Sequence, residues 1–409
     1  MQAIHRRCKT AGDVRSMGRT GDYSGLVGRV AGDGADAWDT HYEALAARAR
    51  GEEVVILSVG DPDLDTPAPI VERAIEALRG GDTHYAPLAG REPLRDAIAA
   101  LHHQRTGQRV GSEQVIFLSG AQNALFAASL CLAGPGDEVI SCEPMYPTYP
   151  ATIAVSGARL VRVPAGEDFR IDLGALAQAI TPRTRALFIA TPNNPSGVIA
   201  SERDMSEIGE LARQHSLWVV ADEVYAGLAP EGRVPGLAAR LPDQVVTISS
   251  LSKSHAMTGW RAGWMVGPQK LIGHVESLVL CMLFGLPGFV QEASLTALSM
   301  ASKAEAATRA YCKERRDILL AGLKHAQGLH CHQPDAGMFT LVDVSGTGLS
   351  GREFVRQLFS AERVSVLDGA MFGAATRAHV RICFASAPAT LREACTRIQR
   401  FAARLAQKT

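Results

Sequence analysis

One lysine stands in a hydroxyl-rich segment, Ser249-Ser250-Leu251-Ser252-Lys253-Ser254, just after the apolar run Val245-Val246-Thr247-Ile248. Such a run reads as a buried strand, which puts the amine of Lys253 at the mouth of a sheet. A glycine-punctuated turn follows and carries Arg261. A primary amine in that place can form a Schiff base with an aldehyde. The hydroxyls of Ser250 and Ser252, together with the Arg261 guanidinium, can hold a phosphate. S-x-S-K alone fits a surface loop equally well, so the other strand ends have to decide.

Trp218-Val219-Val220-Ala221 ends in Asp222-Glu223-Val224-Tyr225. A carboxylate at Asp222 can keep a proton on a pyridine nitrogen, and Tyr225 can donate to a ring oxygen beside it. An N-capping aspartate followed by a packed tyrosine has the same letters. Ala190 leads into Thr191-Pro192-Asn193-Asn194-Pro195-Ser196-Gly197, where Asn194 offers an amide to the same ring oxygen and Asn-Pro by itself spells a turn. Ser119-Gly120-Ala121-Gln122 joins a strand to a helix, whose first N–H groups suit a phosphate. Arg381 interrupts the apolar His379–Phe384 run. Its planar fork matches a carboxylate, either that of a substrate or that of a structural ion pair. An aldehyde, a phosphate and a pyridine occur together in pyridoxal phosphate.

These groups need a scaffold that brings strand ends together. Strand-like runs at 115–118, 138–141, 159–163, 186–190, 218–221, 245–249 and 263–266 alternate with helical patterns such as 202–215. Regular β-α alternation predicts a mostly parallel sheet with helices on both faces, and ligands bind at the carboxyl ends of such strands. A helix is expected over 35–50, a short strand at 54–57, and another helix from about Pro69 to Gly80. After Gly267 the pattern turns to long helical stretches at 271–284 and 289–327. Strands at 339–344 and 379–384 and a helix at 390–406 complete a smaller α+β unit.

The composition fits this scheme. At 409 residues the chain exceeds one hydrophobic core, so two or three domains are expected. Lys plus Arg and Asp plus Glu are 42 each, so no net field favours nucleic acid or an anionic membrane. The eight cysteines are scattered without C-x-x-C, which points to free thiols in a reducing cytoplasm and away from disulfides or a zinc site. No apolar run reaches the roughly 18 residues of a membrane span. Residues 1–21 are basic and polar and read as a disordered extension, with Met17 an alternative start.

Taken in order, Gly60-Asp61-Pro62-Asp63-Leu64-Asp65-Thr66-Pro67, Tyr85 with Gly90, Ser119-Gly120-Ala121 with Ala124-Leu125, Pro144-Met145-Tyr146-Pro147, Asn193–Gly197, Asp222–Tyr225, Ser250–Lys253 and Arg261-Ala262-Gly263 resemble the class I and II pyridoxal-phosphate aminotransferases of the aspartate aminotransferase fold type. The resemblance implies an α/β protein of fold type I. A large cofactor domain would span 61–287 and a small α+β domain 288–409, with 22–60 joining the latter. It implies Lys253 as Schiff-base lysine and proton carrier, Asp222 on the pyridine nitrogen, and Tyr225 and Asn194 on the ring oxygen. Tyr146 would stack on the ring. Ser119, Gly120, Ala121, Gln122, Ser250, Ser252 and Arg261 would surround the phosphate, joined by Tyr85 from the other subunit of a homodimer. Arg381 would clamp the substrate α-carboxylate, with Gly60 and Asn194 lining that end. The reaction implied is a ping-pong transfer of an amino group to a 2-oxo acid.

Three longer stretches, 31–39, 252–261 and Leu280-Cys281-Met282-Leu283-Phe284-Gly285, are similar to bacterial arginine–pyruvate transaminases. Arginine as donor calls for an acidic partner, for which Asp39 and Glu43 are the candidates. The alternatives are a broad aromatic/neutral or aspartate-type aminotransferase, or a lyase or arginine oxidase using the same cofactor. A DNA-binding regulator is disfavoured, because the roughly 30 residues before the fold are too few and unpatterned for a helix-turn-helix.

Overall fold

The computed structural model describes residues 23–31, 38–232 and 234–407. The extension expected over 1–21 lies outside the described residues, as do 32–37 at the start of the first expected helix. That helix spans Asp39–Ala49.

Seven strands form the main sheet in the order 115–119, 262–266, 245–250, 218–222, 184–190, 138–142, 159–163. All neighbours are parallel except Ala262–Val266, which runs antiparallel to both strands beside it. The central strands are apolar almost throughout because helices cover both faces. Ile116, Leu118, Phe188, Val220 and Ile248 pack on one side with Ala124, Ala128 and Val275 from the helices Gly120–Leu132 and Gln269–Met282. On the other side Val115 and Phe117 meet Ile70, Leu94 and Ile98, and Leu187 and Val219 meet Met205 and Ile208. Ser201 and Asp204 form a reciprocal capping box that starts the helix Glu202–Gln214 beneath that face.

A second, antiparallel sheet orders Leu367–Asp368, His379–Cys383, Phe339–Asp343 and His330–Cys331. Its core draws on Leu319, Leu358, Leu391 and Ile398. Val55–Ile56 pairs in parallel with Val364–Ser365, so the N-terminal segment is hydrogen-bonded to the C-terminal part of the chain. The helical stretch expected as one piece over 289–327 is two helices, Gly288–Ser299 and Ala301–Leu323. The break is at Met300, whose φ of −114° and ψ of 15° leave the helical region. The first piece packs with Ile70 and Leu94 and the second with the core of the smaller sheet. A helix at Glu92–Thr106, closed by Gly107 in the left-handed conformation, was not anticipated from the pattern.

Candidate active site

Chain reversals at the carboxyl ends of five strands meet around one cavity of 210 Å³. Twelve of the sequence candidates line it: Gly60, Ala121, Gln122, Tyr146, Asn194, Asp222, Tyr225, Ser250, Ser252, Lys253, Arg261 and Arg381.

Gly120, just after the strand 115–119, has φ +77°, a conformation only glycine adopts freely. A Cβ built on it would lie 2.5 Å from Arg261 Nη2, so the guanidinium sits directly over the turn. On the adjoining strand, a Cβ on Gly263 would come within 2.6 Å of Ala121 N. Two bare glycines thus let the N-terminus of the helix Gly120–Leu132 settle against the sheet beneath Arg261. Arg261 Nη1 donates to Thr258 O at 2.8 Å, and no carboxylate among the described residues pairs with it. Free helical N–H groups beside an uncompensated guanidinium form an anion site.

Lys253 is largely buried and donates from Nζ to Gly60 O at 2.6 Å. Burial pushes its ammonium down to about 8, with Asp61 acting the other way and Arg381 and Arg261 reinforcing the fall. Asp222 ends its strand 7% exposed. Its Oδ2 accepts from Tyr149 Oη at 2.8 Å and its Oδ1 from Val224 N at 3.3 Å. Burial raises its carboxyl to about 6, and those two hydrogen bonds limit the rise. Burial lifts the Tyr225 phenol far above its usual range, so it is a neutral donor.

Arg381 is 3% exposed. Nη1 donates to Asn194 Oδ1 at 2.9 Å and Nη2 to Ser58 O at 2.6 Å, while the fork lies 4.1 Å over the Phe339 ring. Its Nε is buried without a partner, and no carboxylate among the described residues forms an ion pair with it. The structural salt bridge left open from sequence is therefore absent among the described residues. A buried guanidinium with an orphaned N–H calls for an anion from outside the chain.

Of the other five candidates, Gly120 shapes the turn beneath Arg261, and four are not brought into the cavity. Ser119 precedes the turn in register with Ala262 and makes no side-chain cap. Asp39 and Glu43 are exposed on the helix Asp39–Ala49, and it is Trp38, just before that helix, that lines the cavity. The only carboxylate among the described lining residues is Asp222. Tyr85 is 84% exposed and rests against Phe284, ring centroids 4.6 Å apart. Sequence reasoning passed over Tyr149, although Tyr-Pro recurs at 146–147 and 149–150. It also passed over Phe339 and Trp38 as site residues, and took Gly263 only as part of the Arg261-Ala262-Gly263 motif.

The site fits pyridoxal phosphate. It has an anion site at Gly120 and Arg261, an amine at Lys253, and a buried carboxyl at Asp222. Opposite stands an orphaned guanidinium that suits an amino acid's carboxylate. Comparisons with known proteins agree. Residues 52–398 match the family described as aminotransferase class I and II. The arginine–pyruvate transaminase of Pseudomonas aeruginosa is 48% identical over 391 residues, covering 94% of this chain and 98% of that protein. The aspartate/prephenate aminotransferase of Thermus thermophilus is 36% identical over 366 residues, covering 88% and 93%. Among solved structures, an aspartate aminotransferase from Thermus thermophilus with maleate superimposes with a TM-score of 0.88 at 34% identity, covering 93% of this chain and 99% of that one. The chain belongs to the class I and II aminotransferases and is a pyridoxal-phosphate-dependent transaminase of the aspartate aminotransferase fold.

Proposed function

We propose that this aminotransferase takes its amino group from L-arginine and delivers it to pyruvate in two half-reactions at one site. The observation that carries the donor and acceptor is the 48% identity, over 94% of the chain, to a protein named for that reaction. The geometry supports the following roles. Bound pyridoxal phosphate contributes a carbonyl carbon that takes the amine and a protonated ring that draws off the electron pair left at Cα. Lys253 would hold it through Nζ and would carry the proton to and from the substrate Cα. A pKa near 8 leaves a working fraction of neutral amine close to neutral pH. Asp222 would hold the proton on the ring nitrogen, and Tyr146 would cover the ring. Tyr225 and Asn194 would donate to the ring oxygen. Arg261, Ser250, Ser252 and the N–H groups of Ala121 and Gln122 would hold the phosphate. Arg381 grips the substrate carboxylate, which stays unchanged throughout the reaction, and so fixes where Cα lies relative to Lys253 Nζ.

Recognition of the arginine side chain falls to the Trp38 face, since Asp39 and Glu43 lie outside the cavity on the helix that follows it. A cation over an indole contributes about 0.5–2 kcal/mol. A neutral or aromatic donor is the second reading, favoured by the absence of any carboxylate but Asp222 among the described lining residues. The exposed Tyr85 and Phe284, with Leu280 and Leu283 nearby, support a homodimer in which Tyr85 completes the partner's phosphate site. No helix among the described residues is long and apolar enough to cross a membrane. The free cysteines support a cytoplasmic setting.

The experiment is steady-state alanine formation from pyruvate across a panel of L-amino acids. L-Arginine is expected to give the highest kcat/KM, with its guanidino 2-oxo acid formed in equal amount. An aromatic or branched donor exceeding arginine would replace this reading with the second one.

A further inference from the structure

Asp222 has a second attendant besides the cofactor. Tyr149, on the short helix Tyr149–Ala154, is 1% exposed and donates from its hydroxyl to Asp222 Oδ2 at 2.8 Å. Its ring is held edge-on by two others, Tyr146 at 5.7 Å and 78° and Phe188 at 5.7 Å and 86°. These contacts leave the hydroxyl little freedom to turn away, and burial keeps the phenol protonated. We propose that Tyr149 is a positioning residue for the transfer reaction: its hydroxyl occupies Asp222 Oδ2, fixes the carboxylate plane and keeps the carboxylate charged under the ring nitrogen, leaving Oδ1 to meet it. The inference rests on the reading of Asp222 given above.

The surroundings make this hydroxyl matter. The charged and titratable groups that act on Asp222 or are acted on by it are Tyr146, Tyr149, Tyr225 and Glu223. None is a cation, and no lysine or arginine among the described residues is ion-paired to Asp222. In a buried site the negative charge is then sustained by hydrogen bonds alone, from Tyr149 Oη and from the longer Val224 N–H contact. Remove the hydroxyl and the carboxylate becomes a stronger base, which draws the proton from the ring nitrogen onto itself. The ring then accepts the Cα electron pair less readily, and turnover falls. Substrate binding, which runs through Arg381, should change little.

The test uses holoenzyme loaded with cofactor labelled with 15N in the ring. In the parent protein the 15N resonance should sit at the protonated-pyridine position and move towards the neutral position in Asp222→Asn. Tyr149→Phe keeps every ring contact and should move it the same way, partially. The acid limb of the kcat profile should rise by about one pH unit, the size expected for one hydrogen bond to a charged group, with KM for the donor nearly unchanged. Tyr149→3-fluorotyrosine, a stronger donor with the same ring, should lower that limb, and it decides the matter if the phenylalanine variant does not fold. An unmoved resonance and limb in both Tyr149 variants would overturn the inference and leave Tyr149 a packing residue. A resonance unmoved by Asp222→Asn would instead remove the Asp222 assignment on which it stands.

Discussion

Replacing Arg381 separates a substrate clamp from a structural strut. The guanidinium has five N–H donors, and Asn194 Oδ1 and Ser58 O take one each. In Arg381→Lys three donors remain, two of them claimed by those acceptors, so at most one reaches a substrate carboxylate. Losing one charge-assisted hydrogen bond costs about 1.5–3 kcal/mol, or roughly 10- to 150-fold in kcat/KM. In Arg381→Met the carboxylate is buried unpaired, at about 2–5 kcal/mol, and the loss reaches roughly 30- to several thousand-fold. Because that carboxylate is the same before and after each proton transfer, the loss should fall on the apparent binding constant of the donor rather than on the limiting rate. The assay is the single-turnover reaction with donor alone, timed by the cofactor's absorbance at increasing donor concentration. Thermal unfolding of the cofactor-free protein is the control. Breaking a buried ion pair would cost about 3–5 kcal/mol, but Arg381 has none among the described residues, and Met relieves an unpaired buried charge while orphaning two acceptors. The Tm should therefore move by no more than about 2 °C. A kcat/KM within about threefold of the parent, or a large fall in Tm at unchanged binding, would refute the clamp.

Gly120→Ala should weaken cofactor retention, because a Cβ at φ +77° is strained by roughly 1–2 kcal/mol and pushes at Arg261 Nη2; equilibrium dialysis with pyridoxal phosphate reads this, and unchanged affinity would mean the anion lies elsewhere. Lys253 carries a stability signature in the cofactor-free protein. Its folded pKa of about 8 lies below the ordinary lysine value of 10.5, so between those values the unfolded chain binds more protons and stability rises with pH. Lys253→Met should flatten that rise in denaturant titrations, and a curve parallel to the parent's would show that the amine is not buried. The same variant should lose the cofactor's visible lysine-bound band while keeping its far-UV dichroism. Lys253→Ala and Tyr85→Ala should each be inactive alone. Mixed and allowed to reassociate, they should recover roughly a quarter of the sites, since one site of each mixed dimer has both residues intact; no recovery would remove Tyr85 from the partner's site.

The strand ends were the legible part. Lys253, Asp222, Asn194 and the Gly120 turn each follow an apolar run, and a parallel sheet brings its carboxyl ends together whatever the loops between them do. Other features depend on information that spacing does not carry. Ser119, Asp39 and Glu43 have the right chemistry nearby, but it is Ala121 and Trp38 that line the cavity. The break at Met300 lies in an Ala/Ser/Leu-rich stretch without proline or glycine, and only its two different packing partners separate the helices. The helix Glu92–Thr106 did carry signals, a proline in its first turn and Gly107 at its end. Tyr149 offers no sequence signal beyond the second Tyr-Pro, and only the fold brings its hydroxyl onto Asp222.

The central claim is that one amino-acid donor, L-arginine, loads this site. The most direct measurement is to add each amino acid without acceptor to the cofactor-loaded enzyme and time the conversion of the lysine-bound cofactor band to the amine form. L-Arginine should convert it fastest, pyruvate should restore the band, and alanine should appear in equal amount. Rapid conversion by aromatic or neutral amino acids with arginine inert would contradict the donor assignment.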